Sequence, residues 1–256
     1  MSERTVAKGS ATFRVDAPTT HRFWERYEAP GWEPCTVTVF EERLGPGVRY
    51  LDLGAFIGPT AIYAAALGCE VTAVEPDPTM FAELARNVEL NPGLKIRLVP
   101  AALALEDGEG ELHVNVASQA SLLAGDGPTV RVRTLSPETL AEEVGEVDFV
   151  KIDVEGAEYL FLPRLVRALR GRPAIYLSTH PGLLLDRRRA LSLLRSAPRA
   201  FILNRRMLDA LRTYQHHLVY EDDGRVRDIR RLNRLRLALP FAGRASFLVD
   251  NCLFTD

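Results

Sequence analysis

The stretch KIDVEGAE, residues 151–158, sets one lysine and three carboxylates within eight positions, directly behind the strand-like VDFV at 147–150. On an extended strand, Phe149, Lys151 and Asp153 point to one face and Val150, Ile152 and Val154 to the other. A lysine on a strand covered from both sides needs a partner or a wet cleft. Gly156 permits a turn, and Glu158 then falls in the first turn of the next helix, where negative charge gains roughly 0.3–1 kcal/mol. That position accounts for Glu158 as a helix-start residue. Asp153 and Glu155 are left at the rim of a strand end, where one carboxylate can take a proton from a hydroxyl and the other orient it. Asp153 also suits the amino group of a bound ligand. His180 closes the strand expected beside this one, and an imidazole with an ordinary pKa near 6.5 is the alternative base. The simpler account of His180 is a histidine hydrogen-bonded at a strand end. Asp153, Glu155 and His180 are also chemically able to hold a divalent metal, since oxygen-rich sites suit Mg2+, but they lack a fixed spacing and a metal is not favoured.

A second constellation lies a hundred residues earlier. Asp52, Gly54 and Gly58 in LDLGAFIG, 51–58, have the spacing DxGxxxG at the end of a short apolar run. Gly54 allows a tight turn with close approach to a ligand, and Gly58 lets a helix begin hard against the strand. The dinucleotide fingerprint GxGxxG presents amides to a pyrophosphate, but here Asp52 replaces its first glycine and would repel an anion. A carboxylate at the turn suits a cationic ligand, such as the sulfonium and amino groups of S-adenosylmethionine. Glu75, 17 residues after Gly58 at the end of the next apolar run, is placed to accept both ribose hydroxyls of a nucleoside. Taken singly, Asp52 or Glu75 is open to the plainer reading of a residue that caps the next turn.

Elements that position these groups are legible in the periodicity. Strands are expected at 49–54, 70–76, 95–103, 147–154, 174–180 and 200–205, with helices at 58–68, 78–91, 157–171 and 187–195 between them. Extended pieces at 110–116 and 129–135 are additional, and 246–254 reads as an antiparallel last strand because only a short connection precedes it. His216 and His217 read as loop or edge residues. Strands alternating with helices imply a parallel sheet covered on both faces, with ligands outside the carboxyl ends where the strand order reverses. Residues 46–256 are expected to form one domain, with 1–45 as an N-terminal extension packed on it.

Bulk properties exclude several classes. The 256-residue chain is 46% apolar with a formal net charge of -2, so it is composed like a soluble globular protein and not a disordered one. Short apolar runs and a polar start suggest neither a signal segment nor a membrane span, and the expected location is the cytoplasm. Cys35, Cys69 and Cys252 are odd in number and lack CxxC spacing, which speaks against a disulfide framework or thiolate metal site. Residues 161–244 carry 19 arginines against 6 acids, whereas residues 1–160 carry 13 basic and 26 acidic side chains. The plain account is that the halves face each other and that solvated helix faces carry the rest; the functional one is an anionic acceptor or surface near 221–240.

With these residues in hand, LDLGAFIG (51–58), VTAVEPDP (71–78) and above all VDFVKIDVEGAE (147–158) resemble the FkbM-like family of class I S-adenosylmethionine-dependent methyltransferases. The resemblance runs from about Glu33 to His180. It implies an α/β, Rossmann-like fold: a seven-stranded, mostly parallel sheet with one reversed strand and helices on both faces. It also implies O-methylation of a sugar or natural-product hydroxyl with S-adenosylmethionine as cofactor, and places Asp52, Gly54, Ala55, Gly58 and Glu75 on cofactor positions. Glu33, in WEP ahead of the first strand, matches an EP common there and is expected to face the cofactor too. Three positions depart from the family pattern: Phe56 stands for the usual Asn, Ser136 for the Asp of Thr-Leu-Asp, and Ser178 for a Glu at that strand's end. The acceptor is expected to be a small molecule or glycan, free or carrier-bound, and a homo-oligomer is admissible. N-methylation of an amino sugar is the main alternative. An RNA methyltransferase is disfavoured because no Asn/Asp-Pro-Pro-aromatic run stands where DVEG does, although the basic 225–236 run keeps nucleic-acid binding as a minor reading. A dehydrogenase lacks its GxGxxG, and a scaffold without catalysis would need none of Asp52, Glu75 and Asp153.

Overall fold

The structure, a computed structural model, describes residues 3–16, 21–115, 120–122, 128–180, 190–212, 214, 216–220, 226–228 and 245–250. The chain opens with a hairpin of β1 (Glu3–Lys8) and β2 (Ala11–Asp16), then helices α1 (His21–Glu28) and α2 (Pro34–Arg43). Next come β3 (Arg49–Leu53), α3 (Pro59–Ala66), β4 (Glu70–Val74), α4 (Pro78–Glu89) and β5 (Ile96–Val99). An excursion follows through β6 (Ala102–Leu103), β7 (Gly108–Asn115), β8 (Ala120–Leu122) and β9 (Thr129–Leu135). The chain then returns through α5 (Pro137–Val144), β10 (Phe149–Ile152), α6 (Glu158–Ala168) and β11 (Ala174–Thr179). It continues with α7 (Ala190–Leu211), β12 (His216–Tyr220), β13 (Val226–Asp228) and β14 (Ala245–Asp250). Helices α2, α3, α4 and α5 each start on a proline, which fits the first helical position because its missing N–H would have no intrahelical partner there.

The central sheet has the order β13-β12-β14-β11-β10-β3-β4-β5. From β11 to β5 the five strands are all parallel, and β14 runs antiparallel to both β11 and β12. The expected reversed last strand is therefore present, inserted beside β11. The count differs from expectation: among the described residues the sheet has eight strands instead of seven, because β13 adds an antiparallel edge to β12. A separate four-stranded sheet, β6-β9-β7-β8, is formed by the excursion. The expected strand at 95–103 is in fact broken. Pro100 has no N–H to give a sheet ladder, the Ala101 N–H turns back onto Val99 O at 3.1 Å, and the chain leaves the central sheet there.

Alternation along the strands builds a core on each face. Tyr50, Phe149 and Tyr176 pack with α1 to α4 and the hairpin on one side; Leu51, Leu53, Val150, Ile152, Ile175 and Leu177 pack with α5, α6 and α7 on the other. All four residues of β10 are buried, as a central parallel strand requires. Each large apolar side chain so buried contributes roughly 1.5–3 kcal/mol. The expected strand at 200–205 lies instead within α7. Phe201 and Ile202 are exposed, while Met207 and Leu211 are buried against the second core with Leu203 packed beside them, a helical stripe of every fourth residue. His216 and His217 open β12. The Arg-rich 225–236 run lies outside the described residues except for 226–228. Among the described residues no helix is long and apolar enough to cross a membrane.

Candidate active site

Strand order reverses between β3 and β10, and a cavity of about 330 Å3 opens at their carboxyl ends. Its walls include Gly54, Glu75, Lys151, Asp153 and Glu155 from the sheet and Trp32 and Glu33 from the loop before α2.

The glycine loop is shaped by the protein itself. Gly54 has φ +84°, and a Cβ there would sit 2.0 Å from the Asp153 carbonyl oxygen. The close approach that needs glycine is thus between the ends of β3 and β10. The Gly54 and Ala55 N–H groups both donate to Val74 O, at 3.1 and 3.0 Å, locking the loop to β4. A Cβ on Gly58 would press within 2.8 Å of Ile62 and Leu84.

Glu75 and Phe56 form one unit. Glu75 lies just past β4, is buried, and accepts from Phe56 N and Asp77 N, each at 2.8 Å. Burial pushes its carboxyl up to about 7, against the opposing pull of those two amides. Phe56 adopts φ +52°, a left-handed conformation that asparagine tolerates better than phenylalanine, and its ring packs edge-on against Phe23 at 5.3 Å. The departure at residue 56 therefore trades a turn-forming amide for aromatic packing on α1.

Asp52 is not on the cavity wall. It lies inside β3 with no exposure, accepts from Thr60 Oγ1 at 2.7 Å, and has Lys151 Nζ 3.9 Å from its other oxygen. Burial pushes its pKa up, opposed by Lys151 and Thr60. Lys151, nearly buried, also lies 3.3 Å from Asp153 Oδ2. Burial acts to lower its pKa, but Asp153, Asp52 and Glu33 outweigh it and hold the amine charged. The partner expected of this lysine is thus a carboxylate on either side.

Asp153 and Glu155 on the cavity wall converge with the buried His180, and a ligand atom from each lies within 4.8 Å of the others. His180 Nε2 is 3.4 Å from Asp153 Oδ1 and 3.8 Å from Glu155 Oε2. Glu155 adopts φ +49° in the turn that Gly156 completes. Burial acts to lower the His180 pKa, yet Glu158, Asp153 and Glu155 together raise it above its ordinary value. Glu33, itself at φ +38°, accepts from Thr36 Oγ1 at 3.0 Å and lines the same cavity.

Two contributors escape a reading by spacing. Glu158 is fully buried: it accepts from Gly156 N at 2.8 Å and His180 N at 3.0 Å, so it ties the turn after β10 to the end of β11. Lys8 of the hairpin donates to Tyr27 O, Ala29 O and Trp32 O at 2.5, 3.3 and 3.3 Å and lies 5.1 Å from both the Tyr27 and Trp32 rings, which fixes the loop that carries Glu33. Neither signal is local in sequence.

A parallel sheet with a glycine loop after its first parallel strand and a buried acid after the next is the architecture of class I S-adenosylmethionine-dependent methyltransferases. Such an enzyme from Agrobacterium tumefaciens superposes with a TM-score of 0.51 and 11% identity, covering 98% of this chain and 71% of that one, which is a likeness of fold. The chain belongs to the methyltransferase FkbM domain family, whose pattern it matches over residues 52–179, half its length. It is also 25% identical over 174 residues, 66% of this chain and 71% of the relative, to the hexuronic acid methyltransferase AglP of Haloferax volcanii. The protein is accordingly a methyltransferase of the S-adenosylmethionine-dependent class.

Proposed function

We propose that the protein methylates a hydroxyl of a sugar, with a sugar acid as the acceptor class. The observation that carries this is the convergence of Asp153, Glu155 and His180, with Asp153 and Glu155 on the wall of a cavity that Glu75 also lines. The cavity fits the cofactor chemically: Glu75 is a buried double acceptor for a ribose diol, and Glu33 with the Gly54 turn lines the region for the charged methionine end. S-adenosylmethionine supplies an activated methyl group when bound. What remains for the chain is to align the acceptor oxygen and to take its proton as the new bond forms. Asp153 is the base, Glu155 orients the hydroxyl, and His180, whose pKa its acidic neighbours raise, is the alternative proton acceptor. Lys151 holds Asp153 in place from the buried side.

Arg26, exposed at the same cavity, makes no ion pair among the described residues and offers a guanidinium to an acceptor carboxylate. The activity named for the Haloferax relative, on a hexuronic acid, supports an acceptor of that class. The test combines binding and turnover. S-adenosylhomocysteine at about 100 times its dissociation constant should stabilise the folded protein by about 2.7 kcal/mol. Asp153→Asn should retain that stabilisation while losing methyl transfer to a uronic acid glycoside. Loss of cofactor binding in this variant would instead make Asp153 a ligand of the amino group, and no stabilisation of the folded wild type would remove the reading altogether.

A further inference from the structure

His180 is the member of the rim whose surroundings do not account for it. Its side chain is 9% exposed, yet among the described residues neither ring nitrogen makes a hydrogen bond. Nε2 faces Asp153 Oδ1 at 3.4 Å and Glu155 Oε2 at 3.8 Å, and Nδ1 faces Glu158 Oε1 at 3.6 Å. The two Nε2 separations are long for hydrogen bonds but suit atoms that share an ion. Ligands bound at roughly 2.0–2.2 Å to one centre stand about 3–4 Å from each other. Charge points the same way. Among the described residues, Asp52, Asp153, Glu155 and Glu158 lie around one ammonium, Lys151, and one imidazole, mostly shielded from water. A negative excess in such a setting is costly unless a cation offsets it.

We propose that Asp153, Glu155 and His180 form a divalent-cation site that holds an oxygen of the acceptor beside the methyl donor. Two carboxylates and an imidazole suit Mn2+ better than Mg2+, which prefers oxygen alone, and they leave the remaining positions of an octahedral ion to water and acceptor. Glu158 serves as the outer carboxylate: it faces Nδ1 and receives the His180 backbone N–H, which directs Nε2 toward the ion. Asp153 and Glu155 lie on the cavity wall, so the ion would be reached from the acceptor side. With an ion bound, Asp153 and His180 would be its ligands and not the free bases of the methyltransferase reading above; the use of the site rests on that reading, but its existence does not.

The full chain, freed of metal with a chelator and dialysed, is titrated with MnCl2 and followed by electron paramagnetic resonance. One Mn2+ should bind per chain, with nitrogen coupling from an imidazole in the pulsed spectrum. Glu155→Gln, at a side chain 38% exposed, should keep the fold and weaken the affinity by about tenfold or more. His180→Gln should remove the nitrogen coupling; if it does not fold, selective 15N-labelling of histidine in the wild type gives the same readout. No saturable Mn2+ binding, or binding unchanged by Glu155→Gln, overturns the site. Calorimetry with S-adenosylhomocysteine on the same samples separates the two readings. Mn2+ binding with nitrogen coupling but no S-adenosylhomocysteine binding sustains the cation site and removes the proposed sugar methylation. Methyl transfer undiminished by chelator, with no Mn2+ bound, overturns the site and leaves that assignment standing.

Discussion

Replacing Glu75 by glutamine should leave a pH-dependent signature in stability. The carboxyl is raised from an ordinary 4.5 to about 7 chiefly by burial, so the ligand-free fold prefers it protonated. A raised carboxyl contributes stability that is fully present below pH 4.5 and is lost as pH rises through about 7. The shift corresponds to about 3 kcal/mol, an order-of-magnitude figure. Glutamine cannot ionise, and with two amides pointing at its single acceptor oxygen it loses some hydrogen bonding at every pH. The informative quantity is therefore the change in the stability difference between variant and wild type, which removes that constant cost. Urea unfolding of both proteins, stripped of cofactor, at intervals from pH 4.5 to 8.5 should show the difference moving by about 3 kcal/mol in the variant's favour. S-adenosylhomocysteine affinity should rise with pH across the same window in wild type, where ionised Glu75 accepts the ribose hydroxyls, and stay flat and weaker in Glu75→Gln. A stability difference independent of pH would refute the claim that burial of this carboxylate strains the ligand-free protein.

Lys151→Met should destabilise by about 3–5 kcal/mol, because it strands Asp52 and Asp153 without their shared cation, and urea midpoints should fall more at pH 8 than at pH 5, where Asp52 can take up a proton. Glu158→Gln should cost about 1–3 kcal/mol by weakening one of two buried backbone contacts, and an NMR titration should find the His180 pKa lowered, since the first of the groups raising it is gone. An unchanged imidazole titration would deny Glu158 its role. Gly54→Ala should cost about 3 kcal/mol or more, combining a positive φ with a Cβ 2.0 Å from Asp153 O, and should yield little folded protein in a thermal melt.

Much of the site was legible because its residues break local rules. Lys151 in a covered strand announces a partner, and the period of two places Phe149 in one core and Val150 and Ile152 in the other. Glu75 follows from its spacing after a glycine loop. Other features depend on contacts that no spacing encodes. Asp52 reads as a turn residue facing a ligand, but β3 continues to Leu53 and so leaves the carboxylate under the loop, against Thr60 and Lys151. The helix dipole is enough to explain an acid at residue 158, so nothing local reveals that it bonds the His180 amide 22 residues away. The 200–205 run is apolar enough for a strand; only the stripe through Leu203, Met207 and Leu211, longer than that window, identifies the helix.

The break at Pro100 reaches beyond local geometry. The excursion it starts supplies Ala102, Leu103 and Leu112 to the cavity, while the Gly54 turn, Glu75 and Asp153 belong to the central sheet. Both ends of that excursion are pinned: Val99 closes β5 and receives the Glu75 N–H at 3.1 Å, and the Ser136 amide is held by Asp107 Oδ1 at 2.7 Å. Between those anchors the described residues of the 102–135 segment form one part of the cavity wall, beside the part that the central sheet supplies.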